Sequence, residues 1–251
     1  MGRSIGASAL ARVAASSLLL TLSLAFALEP PTKEQVERYK RDGTFAARVT
    51  QAKSYGNHKI APRLASRLRE RLRLAPSGAG PIRGTKSASA VRVMAPPPAW
   101  AGLPTTGTVK ILALLIAFSD YPPTTPAATF ASRLFGDGTG AAPFDSLRNF
   151  YRRSSYDQLE IQGNVLGWYT TGYARSAVVE TDAGRQALIE EALTYYDQQG
   201  HDFSQYDNDG DGAIDYFCVF WTGPHGEWAS FWWGYDTGFY DSSFRLDGKR
   251  L

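Results

Sequence analysis

Asp207, Asp209, Asp211 and Asp215 stand within a span of nine residues and run straight into a segment built for a strand. The stretch 206–217 reads Tyr-Asp-Asn-Asp-Gly-Asp-Gly-Ala-Ile-Asp-Tyr-Phe. Carboxylates at alternate positions of a tight loop converge on one point, and Gly212 supplies the sharp turn such a loop needs. Numbered as a calcium loop, the aspartates take positions 1, 3, 5 and 9, Gly212 takes position 6, and the carbonyl of Ala213 takes position 7. Four like charges this close repel one another unless a cation sits among them, so the pattern predicts bound calcium. Position 12, where a bidentate Glu would complete an EF-hand, is Cys218, a poor calcium ligand. Its neighbours, Ile-Asp-Tyr-Phe-Cys-Val-Phe-Trp, are β-branched and aromatic. The loop is therefore expected to feed a buried strand over 213–222, not an exiting helix. A further ligand must come from outside the loop, with Asp202 a candidate.

The elements upstream of this loop alternate in type. Residues 110–120, Lys-Ile-Leu-Ala-Leu-Leu-Ile-Ala-Phe-Ser-Asp, form a continuous apolar run between Gly107 and Pro122-Pro123, as a central strand buried on both faces requires. A short helix is expected over 129–134, and another from an Asp145 N-cap to Ser154. Residues 158–169 alternate apolar and polar at first and suit a strand with a glycine-marked bend. The clearest helix is 182–199, with Ala183, Ala187, Leu188, Ala192 and Tyr195 on one face and Gly200 as its stop. Strands separated by helices predict a mixed α/β layer around one core. Beyond it, 12 of the 29 residues from Tyr216 to Phe244 are Phe, Trp or Tyr, enough for a core and cleft wall. Leu251 then comes without a capping signal, as in an interrupted domain.

The net charge of +3 conceals a break. Residues 28–94 carry 15 Lys and Arg against 5 acids, whereas 95–251 carry 10 against 19. The basic part holds Arg63, Arg67, Arg69, Arg71 and Arg73 in a helix-compatible run, then two linker-like stretches, 76–84 and 94–99. A basic arm can serve nucleic acid or anionic lipid, but the nearest opposite charge here is the acidic domain on the same chain. The expectation is a propeptide and linker over 28–95, mostly helical or disordered, docked on a domain over 96–251. No nucleic-acid partner is expected.

The first 27 residues have the layout of a secretory signal: Arg3 and Arg12, an apolar core from Leu18 to Phe26, and the small-x-small pattern Ala25-Phe26-Ala27. The apolar run is too short for a stable membrane span. Cys218 is the single cysteine, so no internal disulfide can form, and a buried, inert thiol is expected. The destination predicted is a bacterial periplasm or exterior, where calcium is abundant.

From about residue 28 onward the chain resembles the immune inhibitor A family of secreted bacterial zinc metallopeptidases. The likeness rests on the strand 111–120, the segment Ser146-Leu-Arg-Asn-Phe-Tyr-Arg-Arg-Ser-Ser-Tyr156, and the turn Gly167-Trp-Tyr169. It continues through the helix with Glu190-Glu-Ala192, the loop 207–215 and a strand running into Gly223. The resemblance implies an incomplete zincin-like domain, protein or peptide substrates, and a propeptide as intramolecular partner. The family's His-Glu-x-x-His helix, which binds zinc and polarises the attacking water, is missing from this chain. His58, His201 and His225 are the only histidines, and none has a histidine four residues on. Zinc is thus expected in a full-length protein only, and no catalytic or zinc-binding residue is assigned here. The contrasting expectation is a noncatalytic, calcium-stabilised secreted binding module that uses Trp228, Trp232 and Trp233 on sugar or peptide.

Overall fold

The computed structural model describes residues 31–56, 102–138 and 145–251. The signal segment, the Arg63–Arg73 run, both linker-like stretches and His58 lie outside the described residues. The chain divides into two compact units that do not follow chain order: 31–56, 180–182 and 224–238 form one, and 102–138, 145–179, 183–223 and 239–251 the other.

In the first unit two short helices, α1 (Lys33–Arg41) and α2 (Phe45–Ser54), form a hairpin. Thr32 opens α1 with a reciprocal cap: its hydroxyl accepts the Gln35 N–H while the Gln35 side chain accepts the Thr32 N–H. Gly43, at φ +74°, makes the turn between the helices. The hairpin buries Tyr39 completely. Trp228 stacks near both Tyr39 and Phe45, with ring centroids 6.3 and 6.1 Å away. The Arg48 guanidinium lies 4.2 Å from the Tyr39 ring centroid and donates to the Trp228 carbonyl at 3.2 Å. Glu227 then accepts from Arg48 at 2.6 Å and from Arg38 at 3.1 Å. Val49, Ala52 and Trp233 complete the cluster, and Tyr55 meets Phe231 edge-on.

The second unit is built on a parallel three-stranded sheet in the order β2-β1-β3, with β1 Gly107–Ala117, β2 Leu159–Thr170 and β3 Phe217–Trp221. The described residues as a whole are mixed α/β, with five α-helices, three of which accompany this sheet. The apolar run is the central strand it was expected to be: residues 111–118 are essentially inaccessible. Helices α3 (Ala127–Phe135) and α4 (Leu147–Ser154) join β1 to β2, and α5 (Asp182–Gln198) carries the chain back past β1 to β3. Right-handed crossovers that reverse direction must place their helices on opposite faces. Accordingly, Phe130 of α3 meets Trp168 and Phe220 on one face. Glu191 of α5 accepts the hydroxyls of Tyr169 and Tyr173 on the other. Burial first, then Glu191, drives both phenol pKa values upward.

Two glycines in β2 have separate tasks. A Cβ at Gly163 would strike the Ile111 carbonyl and the Phe135 ring, so α3 seats closely only over a glycine. Gly167 is the extra residue where the register slips, Leu114 pairing with Leu166 but Leu115 with Trp168. That bulge is the bend the sequence marked.

Three local expectations are corrected. The α4 cap is Ser146, whose side chain accepts the Asn149 N–H, while Asp145 pairs with Arg153. In α5 the buried stripe is Arg185, Leu188, Ile189, Ala192 and Leu193, and Ala183, Ala187 and Tyr195 face solvent. Leu188 and Ala192 are common to both faces, and the stripe is turned toward Arg185, which is 2% exposed. The third strand begins at Phe217, because Ala213 to Asp215 still belong to the loop, and Cys218 is half-buried rather than buried.

Candidate metal centre

The loop is fixed at both ends before any ligand is considered. Its base is Tyr206, fully buried, whose hydroxyl contacts Asn164 at 2.8 Å and His201 Nε2 at 2.9 Å. The Asp215 N–H returns to the Tyr206 carbonyl at 3.1 Å and closes the loop. Asn208, at position 2, ties the loop to the central strand. Its carboxamide oxygen accepts the Lys110 N–H at 2.7 Å and its amide donates to the Lys110 carbonyl at 2.9 Å. On the far side, Arg250 exchanges backbone bonds with Gly212 and Ile214 at 3.0 and 2.7 Å. Gly212 stands at φ +84°, the left-handed turn that the loop pattern assigned to it.

Within this frame Asp207, Asp209 and Asp215 each offer one carboxylate oxygen, all within 4.8 Å of one another. Oxygens bound to a single calcium at 2.3–2.6 Å lie at most about 5 Å apart, so the spacing suits one shared cation. The hydrogen bonding points the same way. Asp207 Oδ2 accepts from Gly212 N–H at 3.0 Å and from the Lys249 ammonium at 2.8 Å, and Asp215 Oδ2 accepts from Asn208 N–H at 2.7 Å. Their Oδ1 atoms are buried and take no hydrogen bond. The Asp207 side chain is only 1% exposed, and a buried carboxylate oxygen without a partner carries a large desolvation cost. The donor set therefore fits a hard divalent cation.

The titration of the cluster reflects its environment. Burial raises the Asp207 pKa, but Lys249 and the N–H groups of Gly212 and Gly210 outweigh it, so the carboxyl sits below its ordinary value. Asp215 is held above it, by burial first and then by the charges of Asp209 and Asp207, against the pull of Asn208.

Not every expected ligand joins the cluster. Asp211 is exposed and lies outside the group of three; its Oδ1 accepts the Ala213 N–H at 3.1 Å, as Asp209 Oδ1 accepts the Asp211 N–H at the same distance. Ala213 is buried beside Arg250. Asp202, the candidate outside ligand, uses its Oδ1 on the Ser204 N–H and hydroxyl at 2.9 and 2.6 Å. Asn208, Gly102, which donates to Asp209 Oδ2, and Lys249 were not legible in the sequence. Asn208 carried a weak signal as a side chain favoured in turns. Gly102 and Lys249 carried none, being set by the tertiary path.

The two histidines among the described residues are engaged elsewhere. His201 Nε2 lies on the Tyr206 hydroxyl, with its pKa lowered chiefly by burial, and His225 Nδ1 lies 2.6 Å from the Gly226 carbonyl. Glu227, next to His225 but one, is held by the two arginines. Trp228 is buried in its stack and so is withdrawn from any exposed aromatic platform. No protein-family model matches this chain, and no curated protein matches it.

Proposed function

We propose that this chain is the front part of a secreted metalloendopeptidase precursor acting on extracellular proteins, stopping before its zinc-binding helix. The observation that carries the reading is the seating of the N-terminal hairpin. Tyr39, Phe45, Arg38 and Arg48 grip Glu227 and Trp228 by side-chain contacts. A cut in the tract between residues 57 and 101 would leave the hairpin held without a covalent link, as a prosegment needs. The Asp207 loop adds a calcium that stabilises the domain, with the Ala213 carbonyl as a further ligand. Zinc, in the longer protein, would supply the activated water. Residues 1–251 supply neither its ligands nor a catalytic group. A signal over 1–27, export to a bacterial periplasm or exterior, and a zincin-like completion of the α/β sheet belong to the same reading. Among the described residues no helix is long and apolar enough to cross a membrane.

The test is the reading frame past Leu251 and the protein it encodes. A His-Glu-x-x-His motif soon after Leu251, stoichiometric zinc, and casein hydrolysis abolished by chelation support the proposal. A frame that closes without the motif, encoding a protein without zinc, sinks it.

One observation favours a second reading, a noncatalytic calcium-stabilised binding module. A cleft of about 400 Å³ opens at the carboxyl ends of the strands, lined by Asp120, Tyr121, Phe130, Trp168, Trp221 and Thr222. That is where ligands sit in open parallel sheets, and the volume is within the range of small-ligand pockets. Saccharide or peptide binding at millimolar concentration, seen as shifts of the Trp168 and Trp221 indole resonances, would favour this reading.

A further inference from the structure

The strands β4 (Arg245–Leu246) and β5 (Lys249–Arg250) pair antiparallel around Asp247-Gly248, both at positive φ, the tight two-residue turn of a hairpin. Leu246 is buried, Asp247 Oδ2 accepts the Phe203 N–H at 2.7 Å, and Arg250 is bonded to the loop backbone. Lys249 is thereby pinned between fixed neighbours, and its ammonium lies 2.8 Å from Asp207 Oδ2. The other oxygen of the same carboxylate is buried and takes no hydrogen bond, and Asp207 offers one oxygen to the cluster.

We propose that Lys249 is a tethered counter-ion that competes electrostatically with a metal cation at the Asp207–Asp215 loop and sets its affinity. The inference rests on the cation reading of that loop. Three carboxylates meet one ammonium, so Lys249 removes a third of the negative charge that would attract a cation. An ammonium and a divalent ion on the two oxygens of one carboxylate stand about 5–6 Å apart, and even water-like screening makes that repulsion worth about tenfold in affinity. Lys249 is not needed to orient Asp207, because the Gly212 N–H holds the same oxygen. Charge is therefore the larger of its two effects. Without a cation, the ammonium lowers the mutual repulsion of the aspartates. With one, it opposes binding, so the loop fills only where calcium is plentiful.

The experiment titrates the intact 251-residue chain with calcium against a fluorescent chelator. Lys249→Met is expected to bind about tenfold more tightly, Lys249→Arg to match the parent, and Asp215→Asn to lose binding. Lys249→Met should also melt lower than the parent in chelator, widening the gap between its melting temperatures with and without calcium. Weaker or unchanged binding by Lys249→Met overturns the proposal, the weaker case identifying an orienting residue. Should Lys249→Met fail to fold, the Lys249 Nζ resonance of the parent chain decides: it shifts as calcium is added, and a resonance that stays put overturns the proposal. Failure of the cation reading itself is separately visible, as a parent chain that takes up no calcium at millimolar concentration.

Discussion

Two carboxylate sites in this molecule solve opposite problems. At Glu227 one carboxylate meets two guanidiniums, with the aromatic rings of Tyr39, Phe45 and Trp228 alongside. At the Asp207 loop three carboxylates meet one ammonium, and two buried oxygens have no donor. At the first site the carboxylate is matched by the chain's own cations, although Arg48 Nε and Trp228 Nε1 are buried without a hydrogen-bond partner, and its half-exposed ions contribute little beyond what the stacked rings provide. The second is short of positive charge, so a cation from solution is expected to stabilise it. Charge surplus joins distant segments; charge deficit is what an added cation would offset.

The largest effect should come from the first site, through its aromatic layer and not its ions. Trp228→Ala removes a buried indole from between two rings, and a large aromatic lost from a core costs about 3–5 kcal/mol. Urea melting should show the loss, and limited proteolysis should open the α1–α2 hairpin first. A loss below about 1 kcal/mol would mean that ions, not rings, hold the hairpin, and the comparison would collapse.

The second site should respond next. Calcium at a hundredfold its dissociation constant adds about 2.7 kcal/mol, because it binds only the folded loop. Thermal melts in calcium and in chelator should differ accordingly, and Asp215→Asn should erase the difference. Identical melts of the parent chain would remove the deficit from the argument.

The sequence showed the loop far better than it showed the clamp, for a physical reason. Asp207, Asp209 and Asp215 converge because they are near neighbours on a short loop, so spacing alone revealed them. Asp211, at the same spacing, stands exposed and outside the group of three, which spacing alone did not foretell. Glu227, Arg38 and Arg48 are separated by some 180 positions, and no local pattern foretells their meeting. The charge break at residue 95 hinted that the N-terminal segment docks on the acidic residues downstream, yet the contact seen is mostly aromatic. In the sheet, the apolar run of β1 fixed its central place, whereas the face of α5 was legible only in part, being turned toward Arg185, which lies in the core at 2% exposure.

A smaller effect is expected of the ions in the clamp. Glu227 is half-exposed, so Glu227→Gln should cost at most about 1 kcal/mol, and the cost should shrink as salt is raised. A loss of several kcal/mol that salt leaves untouched would show the pair to be desolvated, and would bring the two carboxylate sites closer in kind than their exposure suggests.

The smallest effect tests the support beneath the loop. His201 Nε2 lies 2.9 Å from the Tyr206 hydroxyl, which also contacts the Asn164 amide at 2.8 Å. The consistent proton order runs from Asn164 to Tyr206 to a neutral imidazole. Burial lowers the His201 pKa, with Asp202 and Asp247 pulling weakly the other way. A base with a lowered folded-state pKa binds fewer protons when folded than when unfolded. Above the ordinary histidine value of about 6.5 both states are neutral and nothing changes. As pH falls below that value the unfolded chain gains its proton first, and stability declines until the folded imidazole also titrates. His201→Gln, whose side-chain carbonyl can still accept from Tyr206, should flatten this decline without moving the calcium response. If the variant instead abolishes calcium binding while remaining folded, Tyr206 and its partners do more than support the loop. The metal centre would then extend into the packing of α5 and β2.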